Sequence, residues 1–366
     1  MKQLTIGFLG LGLIGGSIAR SIRKNFPSCR IIVYSRRKNE DLLQGIKDGI
    51  ISDITYAIDA HFSECDIIFL CAPVLQNIQF LEQLKPLINK TCIITDVGSV
   101  KGNIHKEVER LELESQFIGG HPMAGSEKTG FANSSEDLLQ NSFYLLTPCK
   151  TTAEEKVLFL KKILSGTGAI FATVDAGLHD DITAAISHVP HIVAASLVNM
   201  VRENDTSNEL MKTFAAGGFK DITRIASSSP TMWEHICAQN QSNISQILGN
   251  YIETLNEAKK LVDAGDSQGI YDMFDHSRNY RNSMPNGSAG PIKRAFEIYC
   301  DIPDEAGVIA TIATILASNA LSIKNIGIVH NREFEEGVLR IEFYDSISCE
   351  KAVALLQKHR YIVYER

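Results

Sequence analysis

The order of apolar and polar positions changes character twice along the chain. From residue 1 to about 150, short apolar runs at 4–9, 30–34, 67–71, 92–95, 116–119 and 142–147 alternate with amphipathic stretches at 15–25, 38–48, 76–87 and 101–113. Alternation of this kind predicts a largely parallel sheet covered by helices. From 151 to 285 the strand pattern mostly vanishes. Long apolar-periodic stretches at 178–201 and 232–261, with 210–214 between them, predict a mainly helical domain, kinked at Pro190. A breaker cluster, Met284-Pro285-Asn286-Gly287-Ser288-Ala289-Gly290-Pro291, reads as a linker. Beyond it, strand 295–301, helix 307–319, strands 322–330 and 336–344, helix 349–358 and strand 361–364 spell βαββαβ, the ferredoxin-like order. The expected division is 1–150, 151–285 and 295–366.

Composition narrows the possibilities. A chain of 366 residues, 44% hydrophobic and 22% charged, suits two or three globular domains with a core of their own. The net charge is −7 and there is no long basic run, which argues against nucleic acid and anionic membrane as partners. The eight cysteines, at 29, 65, 71, 92, 149, 237, 300 and 349, include no C-x-x-C pair, so reduced thiols are expected. The apolar start at 4–9 resembles a signal peptide, but five glycines between positions 7 and 16 point elsewhere. No other stretch reads as the roughly 20 apolar residues of a membrane span, and a cytoplasmic protein is expected.

Those glycines carry the first chemistry. Gly10-Leu11-Gly12-Leu13-Ile14-Gly15 follows a strand and opens a helix, the context in which G-x-G-x-x-G binds a dinucleotide. Gly10 suits the tight turn, Gly12 a close backbone approach to pyrophosphate, and Gly15 close helix–strand packing. The N-terminal fold expected is therefore a Rossmann-like, doubly wound sheet. An NAD enzyme usually places an acid at the end of the second strand. Here that position reads Tyr34-Ser35-Arg36-Arg37, and Ser35 and Arg36 lean the cofactor toward NADP, with NAD the alternative. Pro73 and Ser99 follow later strands and are candidates for the nicotinamide side. Asp96 and Lys101 are spaced to pair across a loop.

Three stretches suggest a substrate site. His121, in Gly119-Gly120-His121-Pro122, is poorly suited to packing and reads as catalytic. On a regular helix Asp180, Ala184, Ser187 and His191 share one stripe, so polar groups there face a pocket together. The histidines of this stretch lack the spacing of a metal ligand set, and no metal is expected. Arg224, closing Gly217-Gly218-Phe219-Lys220-Asp221-Ile222-Thr223-Arg224, suits a bidentate carboxylate clamp, the alternative being an ion pair with Asp221.

Taken in order, Gly10–Gly16, Thr95–Lys101, Gly120-His121-Pro122-Met123-Ala124-Gly125-Ser126-Glu127, Ser187–His191 and Gly218–Arg224 resemble the prephenate dehydrogenase family of tyrosine biosynthesis. The unit at 295–366, with Ile302-Pro303-Asp304-Glu305-Ala306-Gly307 at its first turn, resembles an ACT domain. The resemblance implies NAD(P)-dependent oxidative decarboxylation of prephenate to 4-hydroxyphenylpyruvate. It gives His121 the substrate hydroxyl and Arg224 a carboxylate, with Ser99, Ser187, His191 and Gly217 as further substrate contacts. Glu127 would order the loop or meet the nicotinamide ribose. It further implies a homodimer and an amino-acid effector, tyrosine, at the ACT-like unit. Arogenate dehydrogenase and a non-catalytic nucleotide- and amino-acid-binding regulator are the rival readings. An intact His121, Ser187, His191 and Arg224 set argues against the regulator.

Overall fold

The computed structural model describes residues 3–125, 128–284, 296–303, 305, 307–329 and 337–365. Its contacts divide the chain into two compact units, Met1–Ser288 and Ala289–Arg366.

The first unit is built on an eight-stranded sheet. Its strands are β1 (Thr5–Leu9), β2 (Arg30–Tyr34), β3 (Asp53–Thr55), β4 (Ile67–Leu70), β5 (Ile93–Asp96), β6 (Phe117–Pro122), β7 (Phe143–Pro148) and β8 (Ile170–Thr173), in spatial order 3-2-1-4-5-6-7-8. All pairs are parallel except β6 with β7. The helices α1 (Leu13–Asn25), α2 (Glu40–Lys47), α3 (Val74–Leu84), α4 (Gly102–Arg110) and α5 (Glu154–Leu164) fall between them. Every residue of β1 and β4 is buried, as a parallel sheet covered on both faces requires. The pleat divides the side chains between two cores. Ile6, Phe8, Ile67 and Phe69 belong to one, and Leu9, Ile68 and Leu70 to the other. The strand order reverses between β1 and β4, which opens a crevice at their carboxyl ends.

Two strands lie outside the expected set. At three and four residues, β3 and β8 are too short to display a period of two, and β8 is nowhere fully buried. The sheet thus continues to Thr173.

The helical part comprises α6 (Ala176–Thr183), α7 (Val189–Asn204), α8 (Leu210–Thr213), α9 (Gly217–Thr223), α10 (Pro230–Gln239), α11 (Gln241–Ala264) and α12 (Ser267–Ser283). Asp175 caps α6, its carboxylate accepting from the backbone N–H of Gly177 and Leu178. Between α6 and α7, Ala184–His188 form a π-turn, so Pro190 bends no break into the helix. Proline removes one backbone donor, and the wider turn just before it absorbs the loss. The expected helix 232–261 is divided at Asn240, whose side chain turns inward to Asp180 and His188. Residues 267–283 escaped the apolar pattern because α12 buries none of its side chains.

One expectation is corrected. Among the described residues, the continuous helix Ala176–Asn204 is long and apolar enough, by length and composition, to cross a membrane. The polar positions within it had obscured that length. Only Val189 and Ala194 of α7 are buried within the chain, whereas Leu178, Ile186 and Met200 are exposed.

The second unit has four antiparallel strands, β9 (Phe296–Ile302), β10 (Ile323–Val329), β11 (Gly337–Phe343) and β12 (Val363–Glu365), in order 10-11-9-12. With α13 (Val308–Ser318) and α14 (Ser346–Lys358) it is the βαββαβ arrangement expected. Its core gathers Ile298, Cys300, Ile312, Leu316, Leu339, Ile341 and Leu356. Residues 285–295, 304, 306 and 330–336, which include most of the expected linker and part of the Ile302–Gly307 turn, lie outside the described residues.

Candidate active site

The crevice is lined where the glycine motif ends. Gly10 has a φ of +82°, a conformation that favours glycine. Gly12 caps α1 with extended backbone and leaves open space where a Cβ would stand. A Cβ on Gly15 would lie 2.9 Å from the Cys71 sulfur, so this glycine sets how closely α1 approaches the end of β4. Leu13 and Ile14 form the first turn of α1, which contains no acidic side chain to compete with a phosphate. A cavity of about 680 Å³ runs from Gly10, Leu11 and Gly12 past Cys71, Ala72 and Pro73 to Ser35, Arg36, Arg37 and Asn39. Ser35 Oγ donates to the Arg37 carbonyl at 2.8 Å, which folds this turn beneath the cavity. The open Gly12 backbone, the bare helix start and a polar, acid-free far wall fit a nicotinamide dinucleotide.

The neighbouring strand ends form a buried polar cluster. Asp96 and Lys101 do pair, both side chains fully buried. Asp96 Oδ1 accepts the Gly120 N–H at 3.0 Å, and Lys101 Nζ donates to the Gly120 carbonyl at 2.8 Å. Gly120, the residue before His121, is therefore held through both its N–H and its carbonyl by one ion pair. Ser99 sits half-buried in the loop between the two charges. His121 lies inside β6, opposite Leu145, rather than beyond the strand.

His121 Nδ1 is 2.8 Å from His179 Nε2, and His179 Nδ1 is 2.8 Å from Asp180 Oδ1. The Asp180 carboxylate also accepts the backbone N–H of Lys101 at 2.8 Å and of Gly102 at 2.7 Å, at the start of α4. Burial raises the Asp180 carboxyl, but these bonds outweigh it and hold the group below the usual range. Burial, reinforced by His179, Lys101 and His188, holds His121 well below the ordinary histidine range. Burial likewise pushes His188 down to about 4. At neutral pH both rings are therefore uncharged, as a proton acceptor must be.

The expected stripe of Asp180, Ala184, Ser187 and His191 does not form as such. Asp180 is turned to α4, Ala184 is fully buried, and the π-turn shifts the register of everything after it. The π-turn instead lets His191 Nδ1 donate to the Ser187 carbonyl at 2.9 Å while its ring stacks on Trp233 at 3.9 Å between centroids. Gly217 opens α9 with nothing near its missing Cβ. Arg224 follows α9 in a short 3-10 turn packed against α7. Arg224 is exposed and makes no ion pair among the described residues, so the alternative pairing with Asp221 or another acid is not seen there. Glu127 lies outside the described residues. His179, Asn240 and Trp233 enter the site by contacts across 50 or more residues, or by stacking, neither of which leaves a local pattern. No cluster of three or more His, Cys, Asp or Glu suited to a metal occurs among the described residues.

Comparison with known proteins adds the following. The family models "Prephenate dehydrogenase, nucleotide-binding domain" and "Prephenate dehydrogenase, dimerization domain" match residues 18–173 and 175–276. A prephenate dehydrogenase of Bacillus subtilis (strain 168) is 41% identical over 356 residues, covering 96% of each chain. Among solved structures, prephenate dehydrogenase from A. aeolicus in complex with hydroxyphenyl propionate and NAD+ is 29% identical with a TM-score of 0.72, over 78% of this chain and 99% of that one. Synechocystis arogenate dehydrogenase is 28% identical with a TM-score of 0.70, over 77% of this chain and 100% of that one.

Proposed function

Because the chain belongs to the prephenate dehydrogenase family, we propose that it oxidises and decarboxylates prephenate, yielding 4-hydroxyphenylpyruvate and carbon dioxide. The observation that carries the reading is His121: an uncharged imidazole near the carboxyl end of β6, bonded to His179 at 2.8 Å, at the same end of the parallel strands as the dinucleotide crevice.

The chemistry places demands that these residues meet. A bound nicotinamide would supply the acceptor for the hydride that leaves C4 of the substrate. His121 takes the 4-hydroxyl proton as that carbon becomes carbonyl-like. The bond to the ring carboxylate then breaks, its electron pair completes the aromatic ring, and the borrowed proton returns to the phenolic oxygen. Proton handling of this kind is worth about 10²–10⁴-fold in rate. Arg224, exposed and without an ion-pair partner among the described residues, anchors a substrate carboxylate. Ser99, Ser187, His191 and Gly217 supply further contacts, and the family resemblance leaves Glu127 either ordering its loop or contacting the nicotinamide ribose.

The proposal extends to four finer points. Ser35 and Arg36 on an acid-free wall lean the cofactor toward NADP rather than NAD. Residues 1–150 serve the cofactor, 151–285 the substrate and dimerisation, and 295–366 regulation. The exposed apolar face of the 176–204 helix, with Ile252, Leu255 and Phe274, is covered by a second copy of the chain rather than by lipid. The ferredoxin-like unit acts as an ACT domain that takes tyrosine as effector.

A two-by-two assay tests the reading: prephenate or arogenate with NAD or NADP, followed by the absorbance of reduced cofactor. Turnover of prephenate is expected, fastest at low concentration with NADP. Turnover of arogenate alone would transfer the same mechanism to the amino analogue. Silence in all four combinations, from folded protein that binds cofactor, would overturn the proposal.

A further inference from the structure

The bonds behind His121 form a directed series rather than a set of contacts. Asp180 can only accept, so the His179 nitrogen facing it, Nδ1, carries a proton. A singly protonated His179 then presents Nε2 as an acceptor, and the His121 nitrogen 2.8 Å away, Nδ1, must donate to it. That leaves His121 Nε2 as a bare lone pair, the only form in which this ring can receive a proton from a substrate hydroxyl. Asp180 is itself immobilised. Its two oxygens take the N–H groups of Lys101 and Gly102, and a Cβ on Gly102 would lie 2.9 Å from Oδ2. Its backbone carbonyl receives the Asn240 side chain at 2.9 Å.

From this arrangement we infer that His179 and Asp180 are positioning residues for the reaction: acting through His179, Asp180 sets the tautomer and aim of His121 and anchors both to the start of α4. When His121 is protonated during turnover, the new positive charge lies one imidazole away from a carboxylate, while the other titratable groups facing the pair among the described residues are Lys101, itself paired with Asp96, and the uncharged His188. The inference rests on the reading of His121 as the proton acceptor, but its decisive test needs no turnover.

Selective ¹⁵N labelling of histidine in the full-length protein, with long-range ¹H–¹⁵N correlation, reads the His121 tautomer directly. The wild-type ring is expected to carry its proton on Nδ1. His179→Phe keeps the ring volume and leaves the Asp180 bonds to Lys101 and Gly102 in place. In that variant His121 is expected to shift to the Nε2–H form that free histidine prefers. Its kcat should fall by about 10²-fold or more, within the range that general-base catalysis supplies, with the KM for cofactor unchanged. Asp180→Asn should move the acidic limb of kcat/KM to lower pH, since loss of the carboxylate makes the imidazolium harder to form. A wild-type His121 protonated on Nε2, as a doubly protonated His179 would require, overturns the inference. So does a tautomer that His179→Phe leaves unchanged. The expected tautomer in a protein inert toward prephenate would sustain the inference and sink only the substrate assignment.

Discussion

A histidine that must accept a proton has to arrive uncharged, and the surroundings of His121 enforce this more strongly than its own chemistry would. Free histidine titrates near 6.5, but burial and the neighbouring His179, Lys101 and His188 depress His121 well below that value. The sign of the pH dependence follows. The active form is the unprotonated one, so lowering the pKa extends activity toward acid. The acidic limb of kcat/KM should therefore fall below pH 6.5, and a limb centred at or above 6.5 would contradict the assignment. His121→Asn should lower kcat by about 10²–10⁴-fold with cofactor affinity retained, measured by steady-state rates and cofactor fluorescence titration. Arg224 has no ion-pair partner among the described residues. A hydrogen bond to a charged group is worth about 1.5–3 kcal/mol, so Arg224→Ala should raise the substrate KM roughly 10- to 100-fold and leave the cofactor KM near its starting value. Unchanged KM values would return Arg224 to a surface role.

Elements place these residues, and here sequence and structure part company in instructive ways. The glycine motif and the long strands were legible because a buried parallel sheet writes itself as solid apolar runs. The βαββαβ order was legible because each element shows its own period. The π-turn was not, since it differs from an α-helical turn by one extra residue and no residue type announces it. Nor was the meeting of His121 with His179, which lie 58 positions apart. The pair Gly119-Gly120 was visible in the sequence, yet only the structure gives the second glycine a reason. A Cβ on Gly120 would stand 2.5 Å from the Asp96 carbonyl oxygen and 3.0 Å from the Tyr144 ring. Backbone cannot yield as a flexible side chain can, so β6 would have to move away from β5. Gly120→Ala should cost about 1–3 kcal/mol of stability in urea unfolding, and activity should fall further than stability because His121 moves with the strand. Gly125→Ala, where no described residue stands within 4 Å of the added Cβ, should leave stability nearly unchanged and serves as the control.

At the scale of the whole molecule, the cores fall into two groups, one in each unit. The clusters around Phe8 and Phe69, and around Leu9 and Leu70, draw only on residues before Ser288, whereas the cluster around Ile298 and Ile341 draws only on residues after it. Among the described residues each of these clusters is drawn from a single unit, so the first should fold and bind cofactor without the second. Every residue assigned here to hydride or proton transfer also lies in the first unit. If tyrosine acts through the ferredoxin-like unit, removing residues 295–366 should abolish inhibition by tyrosine while leaving measurable prephenate turnover. Tyrosine resembles the reaction product, however, and could compete directly for the carboxylate anchor at Arg224. The two routes separate kinetically. Inhibition that persists after truncation, is relieved by raising prephenate and weakens in Arg224→Ala would place the effector in the active site. Inhibition that vanishes with the truncation while the KM for prephenate holds steady would place it on the C-terminal unit.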